Sequence, residues 1–370
     1  MQDAFALADD LGPAKVIHIH VPTIGLKGVL VVDNVAAGPS IGGLRMAPDV
    51  STRECFRLAR AMTLKNAAAR LAHGGGKSVL YGDPRMPSDR KQDLIRAFAH
   101  ALRGETDYIF GPDMGTDETC MAWIHDQIGR AVGLPREIGG IPLDEIGATG
   151  WGLCHAVDVA AGQVGLPLSG ARIAIQGYGA VGRHAARFLC ARGAVLVAAS
   201  DSRSSTVNPA GIDPAALASL KAAGGAVGDL PGARAGAPEA IIDVECDVWI
   251  PAARPDVIDE SNAGRLRCRI VAQGANIPIT AAAERMLHER GVLCLPDFIV
   301  NAGGVICAAM EYRGATQAAA FEAIAERIRE NVAAVLADVA QRRVTPREAA
   351  VDLARARVRQ AMQWRRWNVF

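Results

Sequence analysis

No stretch of about 18 consecutive apolar residues occurs in this chain, so a membrane-spanning helix is not expected. Charge of one sign is missing too: the 40 basic residues stand against 39 acidic ones, a formal net charge of +1 with no basic block. Nucleic acid and anionic membrane surfaces are therefore not expected as partners. The eight cysteines (55, 120, 154, 190, 246, 268, 294 and 307) are scattered without CxxC spacing. They read as reduced, mostly buried thiols, with neither a disulfide framework nor a metal site. The first residues, MQDAFALADDLGPAK, lack a basic start followed by an apolar core, so no export signal is read and a cytoplasmic location is expected. Lysine itself is scarce. Only six of the 40 basic residues are lysine (15, 27, 65, 77, 91 and 221), leaving 34 arginines.

What is present fits a globular protein of 370 residues, 50% hydrophobic and 21% charged, long enough for two domains. In a chain that otherwise writes arginine, a lysine is the cation whose pKa burial can bring into the working range. Lys65 and Lys77 lie twelve positions apart, the second directly after Gly74-Gly75-Gly76, a run that admits a ligand against the backbone. The plain alternative is a pair of surface lysines.

In the first half, residues 16–21 and 27–33 read as strands, and AAGPSIGGLRMAPDVS as a Gly- and Pro-rich loop. Ser51 or Thr52 caps a helix running to about Leu71, with Lys65 in its last part. The three glycines turn the chain into a strand, SVLYGDP, and residues 87–102 form a helix capped by Ser88. Asp113 sits in a Gly-Pro-Asp-Met-Gly loop directly after an apolar strand, a position suited to proton transfer or to a local turn bond. A helix follows from Thr116 to Ile128, and the Gly-rich segment 139–152 marks the domain junction.

The second half carries a sharper signal. Residues 171–176 form an apolar strand, followed by Gly177-Tyr178-Gly179-Ala180-Val181-Gly182, an amphipathic helix, and a second apolar strand that ends at Asp201. That order and spacing describe a dinucleotide-binding unit, with pyrophosphate at the helix N-terminus. Asp201 would accept hydrogen bonds from the adenine ribose and favour NAD. Ser202 and Arg203 follow at once and could hold a 2′-phosphate, which keeps NADP open. ECDVWIPAA and CRIVAQGAN read as further strands of a parallel sheet, placing Asn276 at a strand end; a strand ending at Asn301 precedes Gly303-Gly304. Beyond about residue 320 the chain reads as helical, with a capping box at Thr345-Pro346-Arg347-Glu348.

Nine stretches in order, GPSIGGLRMAP, MTLKNA, GGGKSVL, GPDMGTDE, DEIGATGWG, GYGAVGRHAARFL, CDVWIPAA, VAQGAN and NAGGVI, resemble the glutamate/leucine/phenylalanine/valine dehydrogenases, over about residues 27–312. The resemblance implies an α/β fold of two domains separated by a cleft. A substrate-binding and oligomerisation domain (1–145 plus 330–370) would stand beside an NAD(P)-binding Rossmann domain (146–329), in a closed homo-oligomer. It implies that Lys65 binds the substrate α-carboxylate, that Lys77 is the low-pKa lysine that activates water, and that Asp113 carries a proton to and from the amino nitrogen. Thr149, Asn276 and Asn301 would align nicotinamide and substrate.

In glutamate enzymes of the family the loop reads Gly-Pro-x-Lys-Gly-Gly, and that lysine binds the side-chain carboxylate. Here the place is taken by Ile41, before Gly42 and Gly43. With Val305, Ala308 and Gly111, the expected pocket is apolar, for a leucine-, valine- or phenylalanine-type substrate deaminated to its 2-oxo acid and ammonium. Glutamate remains the alternative, since VAQGANIPIT and ATGWG are closer to the glutamate branch, and Lys27 or Arg45 could reach in. A hydroxy-acid dehydrogenase would require a paired catalytic histidine that none of the eight histidines suggests. A non-catalytic NAD-binding regulatory subunit would be free to lose Lys77 or Asp113.

Overall fold

The computed structural model describes residues 5–365. The chain divides into two compact units: the first comprises residues up to Leu143, Val305–Ala320 and those from Asp352 on, the second Asp144–Gly304 and Phe321–Val351. The division near residue 143 lies close to the expected junction. The C-terminal part departs from expectation, because residues 330–351 group with the second unit and 305–320 with the first.

The first unit is built on a five-stranded sheet of β1 (Lys15–Val21), β2 (Leu26–Asn34), β3 (Ser40–Ala47), β4 (Gly75–Tyr81) and β5 (Tyr108–Pro112), in the order β1-β2-β4-β3-β5. β2 is nearly all apolar and almost wholly buried, as a strand covered on both faces must be. On one face lies α1 (Thr52–Ala68), packed through Cys55 and Ala59 on Val29, Val31 and Val79. On the other, α2 (Ser88–Ala101) and α3 (Glu118–Ile128) bury Phe98 and Met121 against Leu30, Leu80 and Phe110. Each such side chain contributes roughly 1.5–3 kcal/mol by leaving water.

Several local expectations are corrected here. The segment read as a Gly-Pro loop contains β3, which pairs in parallel with both β4 and β5. Gly75 and Gly76 belong to β4 together with Lys77, so only Gly74 is left outside the strand. α1 opens as expected, with Ser51 Oγ accepting from the Glu54 N–H at 3.1 Å. Ser88 is not a cap: it is the first helical residue, Pro87 precedes it without a side-chain bond, and Asp89 accepts from the Arg90 N–H at 2.8 Å. α3 is capped by Asp117, whose carboxylate accepts from the Cys120 N–H at 3.0 Å; Thr116 lies before it.

The second unit opens with α4 (Leu143–Ile146) and α5 (Ala148–Gln163), the latter apolar around most of its circumference and accordingly buried. Then come β6 (Arg172–Gln176), α6 (Ala180–Cys190), β7 (Val195–Ser200), β8 (Ser205–Val207), α7 (Pro214–Ala222), β9 (Arg234–Gly236), β10 (Val248–Pro251), β11 (Ile270–Ala272), α8 (Ala281–Glu289) and β12 (Leu293–Leu295). The sheet order is β12-β11-β10-β6-β7-β8-β9, parallel from β12 to β7. From β6 the chain builds outwards to one side and then, at β10, returns to build the other. This doubly wound arrangement puts its topological switch between β6 and β10. After β12 come α9 (Asp297–Val300), α10 (Gly303–Tyr312), α11 (Gln317–Arg342) and α12 (Pro346–Trp364). Residues 297–300 are thus a helical turn where a strand was expected. No helix among the described residues is long and apolar enough to cross a membrane, and all eight cysteines are free thiols.

The capping box at the start of α12 forms as expected: Thr345 N–H donates to Glu348 at 2.9 Å and Glu348 N–H to Thr345 Oγ1 at 3.2 Å. Its neighbour Arg347 reaches inward to two buried acids. It pairs with Glu284 (Nη2 to Oε1, 2.9 Å) and Asp297 (3.0 Å), and also donates to Gln273 at 3.1 Å. Removing one member of such a network strands buried charge. Arg347→Ala should therefore lower unfolding stability by about 3–5 kcal/mol, read as a lowered midpoint in urea at unchanged slope.

Candidate active site

Lys77 is the residue around which the first unit's polar chemistry collects. It sits on β4 with a 5% exposed side, and its Nζ lies 2.9 Å from Asp113 Oδ2. Asp113 directly follows β5, the strand on the far side of β3, so the pair meets across β3. That geometry explains Gly43. A Cβ at this position would lie 2.7 Å from Asp113 Cβ and 3.0 Å from Lys77 Nζ, closer than atoms pack. Gly42, one residue earlier, faces the Gly76 carbonyl of β4 in the same way. Gly111, although opposite Gly43 in the register, has room: a Cβ there would meet nothing nearer than Val132 at 3.5 Å.

The carboxylate has a second cation. Arg45 Nε donates to Asp113 Oδ2 at 2.8 Å, and Arg45 Nη1 donates to Glu54 at 2.7 Å. Burial pushes the Asp113 carboxyl up, but the charges of Lys77 and Arg45 and their hydrogen bonds outweigh it and hold it below its ordinary value. Thr116 fixes the loop, accepting from the Asp113 N–H at 3.0 Å and donating to the Leu44 carbonyl at 2.7 Å. Beneath, the buried Tyr108 hydroxyl donates to the Gly42 carbonyl at 2.7 Å. The Asp-x-x-Thr spacing was a readable signal for Thr116; nothing local marks Tyr108, and Arg45 was noticed only as a cation that could reach a substrate.

Lys65 is half-buried in the last turn of α1, and that helix is tied to β4 by Cys55 Sγ donating to the Lys77 carbonyl at 3.2 Å. Ile41 is buried on β3. Val305, half-buried, and Ala308, buried, lie on α10 in the same unit. His73 Nδ1–H donates to the Pro39 carbonyl at 3.0 Å, and the ring packs edge-on against Tyr312. Gly43→Ala should cost about 1–3 kcal/mol of stability and disrupt the lysine–aspartate pair. Gly111→Ala should stay within about 1 kcal/mol of the parent, thermal unfolding of the two variants side by side being the check.

In the second unit the residues that would hold a dinucleotide come together after β6. Gly177 has φ of +92° and its Cα faces the backbone of Ala252–Ala253 after β10, at the switch point. Gly182 packs against the Gly177 carbonyl, bringing α6 onto β6. Beside Gly179 a Cβ would meet nothing within 4 Å, leaving open space before the N–H groups of Ala180 and Val181 at the start of α6. A pyrophosphate fits that cradle. Thr149 is half-buried in the first turn of α5 and touches the backbone of Gly303. Asn301, buried, donates to Asn276 Oδ1 at 3.0 Å and to the Ala275 carbonyl at 3.2 Å, while its own Oδ1 has no partner among the described residues.

Asp201 is where the expectation for the nucleotide site meets a complication. One carboxylate oxygen accepts from the N–H groups of Arg203 (2.9 Å) and Ser204 (3.0 Å); the other accepts from Lys221 Nζ (2.6 Å) and the Val227 N–H (3.1 Å). Burial raises its pKa, but the Lys221 bond and the three backbone bonds prevail and hold it at about 2. Ser202 and Arg203 are exposed beside it.

Residues 139–366 match the family of glutamate/leucine/phenylalanine/valine dehydrogenases, and residues 13–130 match the family's dimerisation domain. The chain is 35% identical to a glutamate dehydrogenase of Aeropyrum pernix, over 90% of this chain and 85% of the relative. It is also 35% identical to an NADP(+)-dependent glutamate dehydrogenase of Pyrobaculum calidifontis, over 96% of this chain and 92% of the relative. The hetero-hexameric glutamate dehydrogenase of Thermus thermophilus, solved in a leucine-bound form, superposes with a TM-score of 0.85 at 29% identity, over 97% of this chain and 91% of that one. With both domains matched, the chain belongs to the glutamate/leucine/phenylalanine/valine dehydrogenase family, and is an amino-acid dehydrogenase of two α/β domains, the second Rossmann-like.

Proposed function

We propose that the chain catalyses the reversible NAD(P)-dependent oxidative deamination of an L-amino acid to its 2-oxo acid and ammonium. The pairing of buried Lys77 with half-buried Asp113, Nζ and Oδ2 2.9 Å apart, is the observation that carries this reading. When bound, the nicotinamide supplies the hydride acceptor. Asp113 takes a proton from the substrate's amino group, freeing the nitrogen lone pair so that hydride can leave Cα and an iminium can form. Lys77, neutral at this stage, takes a proton from the water that adds to that iminium and later releases it to solvent; Asp113 returns a proton to the nitrogen, which leaves as ammonium carrying the carbinol oxygen's proton. Lys65 holds the α-carboxylate. Thr149, Asn276 and Asn301 orient the nicotinamide, and the cradle from Gly177 to Gly182 holds the pyrophosphate. A cytoplasmic homo-oligomer completes the reading; the dimerisation-domain match and the hetero-hexameric Thermus relative support assembly as an oligomer.

On the substrate side chain, the comparisons and the residues pull apart. The relatives are named for glutamate, which favours glutamate over an apolar substrate. Ile41 supports the apolar reading: it is 3% exposed and offers no charge, and an unpaired buried carboxylate costs several kcal/mol. Neither cation considered as a rescue improves the case for glutamate. Arg45 is engaged by Asp113 and Glu54, and Lys27 stands exposed on β2 opposite His20. The site residues thus support a leucine-, valine- or phenylalanine-type substrate, with glutamate as the second reading.

Steady-state rates with the twenty L-amino acids separate the two: kcat/KM for leucine, valine or phenylalanine should exceed that for glutamate, and Ile41→Lys should move the order towards glutamate. The reverse order in the parent enzyme assigns glutamate. Lys77→Ala should lower kcat by about 10²–10⁴-fold with folding intact; unchanged turnover removes the catalytic assignment. Arg45→Met removes one of the two cations that keep Asp113 low. The acid limb of the kcat–pH profile should therefore move to higher pH, because the carboxylate protonates sooner as pH falls.

A further inference from the structure

We propose that Lys221 selects the cofactor, turning the adenosine end of the dinucleotide site from one that reads a free ribose into one that accepts a 2′-phosphate. The inference rests on the reading of the Gly177–Gly182 turn as the dinucleotide cradle and goes beyond it by assigning a residue of α7. An acid at the end of β7 ordinarily selects NAD in two ways: it accepts hydrogen bonds from the ribose hydroxyls, and it repels a phosphate. Asp201 has the place but is already committed. A carboxylate accepts about four hydrogen bonds, and Asp201 receives four, from Lys221, Val227, Arg203 and Ser204. Its side chain is only 9% exposed. A ribose hydroxyl would have to displace one of these donors.

Its charge is answered as well. Lys221 Nζ lies 2.6 Å from Oδ2 and spends one of its three N–H donors there, while its side chain remains 24% exposed. Arg203 stands exposed beside the carboxylate, with one guanidinium nitrogen on the Gly224 carbonyl at 2.8 Å. Lys221 faces the carboxylate directly and the Arg203 guanidinium is held at the Gly224 carbonyl, so this corner carries two cations to one anion whose lone pairs are spent. Such a corner attracts a dianionic phosphate and gives a bare ribose little to bind. The low pKa of Asp201 agrees with this, since the acid stays ionised and the lysine stays bound across the working range. Lys221 lies twenty residues after Asp201, so the fold, with α7 returning beside β7, makes the pairing.

The test uses nucleotide fragments, whose binding needs no turnover. By calorimetric titration of the full chain, 2′,5′-ADP should bind at least tenfold more tightly than 5′-AMP. Lys221→Met should remove that difference chiefly by weakening 2′,5′-ADP, with 5′-AMP changed less than threefold; Lys221→Arg should retain it. The ratio of Kd for NADP to that for NAD should move in parallel. Equal affinities for the two fragments in the parent protein, or an undiminished preference in folded Lys221→Met, overturn the role of Lys221. Should Lys221→Met fail to fold, Lys221→Gln serves in its place by the same criterion. If neither fragment binds at millimolar concentration, the cradle reading fails, and this inference with it.

Discussion

The first unit depends on keeping one mostly buried carboxylate charged. Desolvation alone would drive Asp113 towards its neutral form; two cations, Lys77 at 2.9 Å and Arg45 at 2.8 Å, reverse the balance. Glu54 in turn holds Arg45 from the opposite side, so the cluster alternates in sign from α1 through β3 to the loop after β5. Charges arranged this way stand or fall together, because deleting one leaves its neighbour desolvated and unmatched. The backbone yields to this demand. The strand that runs between the two ion-pair partners carries no side chain where they meet, and the buried hydroxyl of Tyr108 steadies its carbonyls.

That concession explains which parts of the fold were legible in the sequence. The second unit was readable because its signal is local: an apolar strand, a glycine turn and an amphipathic helix follow one another within about 20 residues, as they do in space. β3 was misread because Gly-Pro-Ser-Ile-Gly-Gly uses the vocabulary of a loop, although Gly42 and Gly43 are required by neighbours contributed by β4 and the loop after β5. Glycine reports that space is short without saying whether a turn or a crowded strand makes it so. Gly75 and Gly76 were misplaced for the same reason. The run from Leu295 to Asn301 failed differently, since a short apolar stretch fits a strand and a buried helical turn alike. Lys77 and Asp113, by contrast, stood out by residue type and framing, and the structure pairs their side chains.

Asp113 and Asp201 make an instructive pair. Both follow parallel strands, both were singled out by position, and both are held ionised by a lysine. They differ in what is left over. Asp113 concentrates its cation contacts on a single oxygen, Oδ2, and in the proposed reaction the other would meet the substrate nitrogen. Asp201 spends both oxygens on the protein. Position along a strand tells where an acid stands, but its chemistry is set by how many lone pairs the fold has already filled. The cationic partners come from far along the chain, Lys221 at 20 residues from Asp201 and Arg45 at 68 from Asp113, which is why a motif spacing describes the two acids alike.

The same distinction governs the substrate side chain. Identity of 35% over nearly the whole chain, with both domains of the family matched, establishes the reaction class. Discrimination between a carboxylate and an alkyl side chain is a different quantity, a difference in free energy generated by the few groups that touch it. In the reading proposed above, a buried cation would decide that difference for glutamate, and the buried Ile41 counts against it. Ile41 pairs with Gly75 of β4 and Ile109 of β5, is buried, and has no charge to offer. On the apolar reading proposed above, a single strand position would redirect what is deaminated while the fold and reaction class stay those of the family.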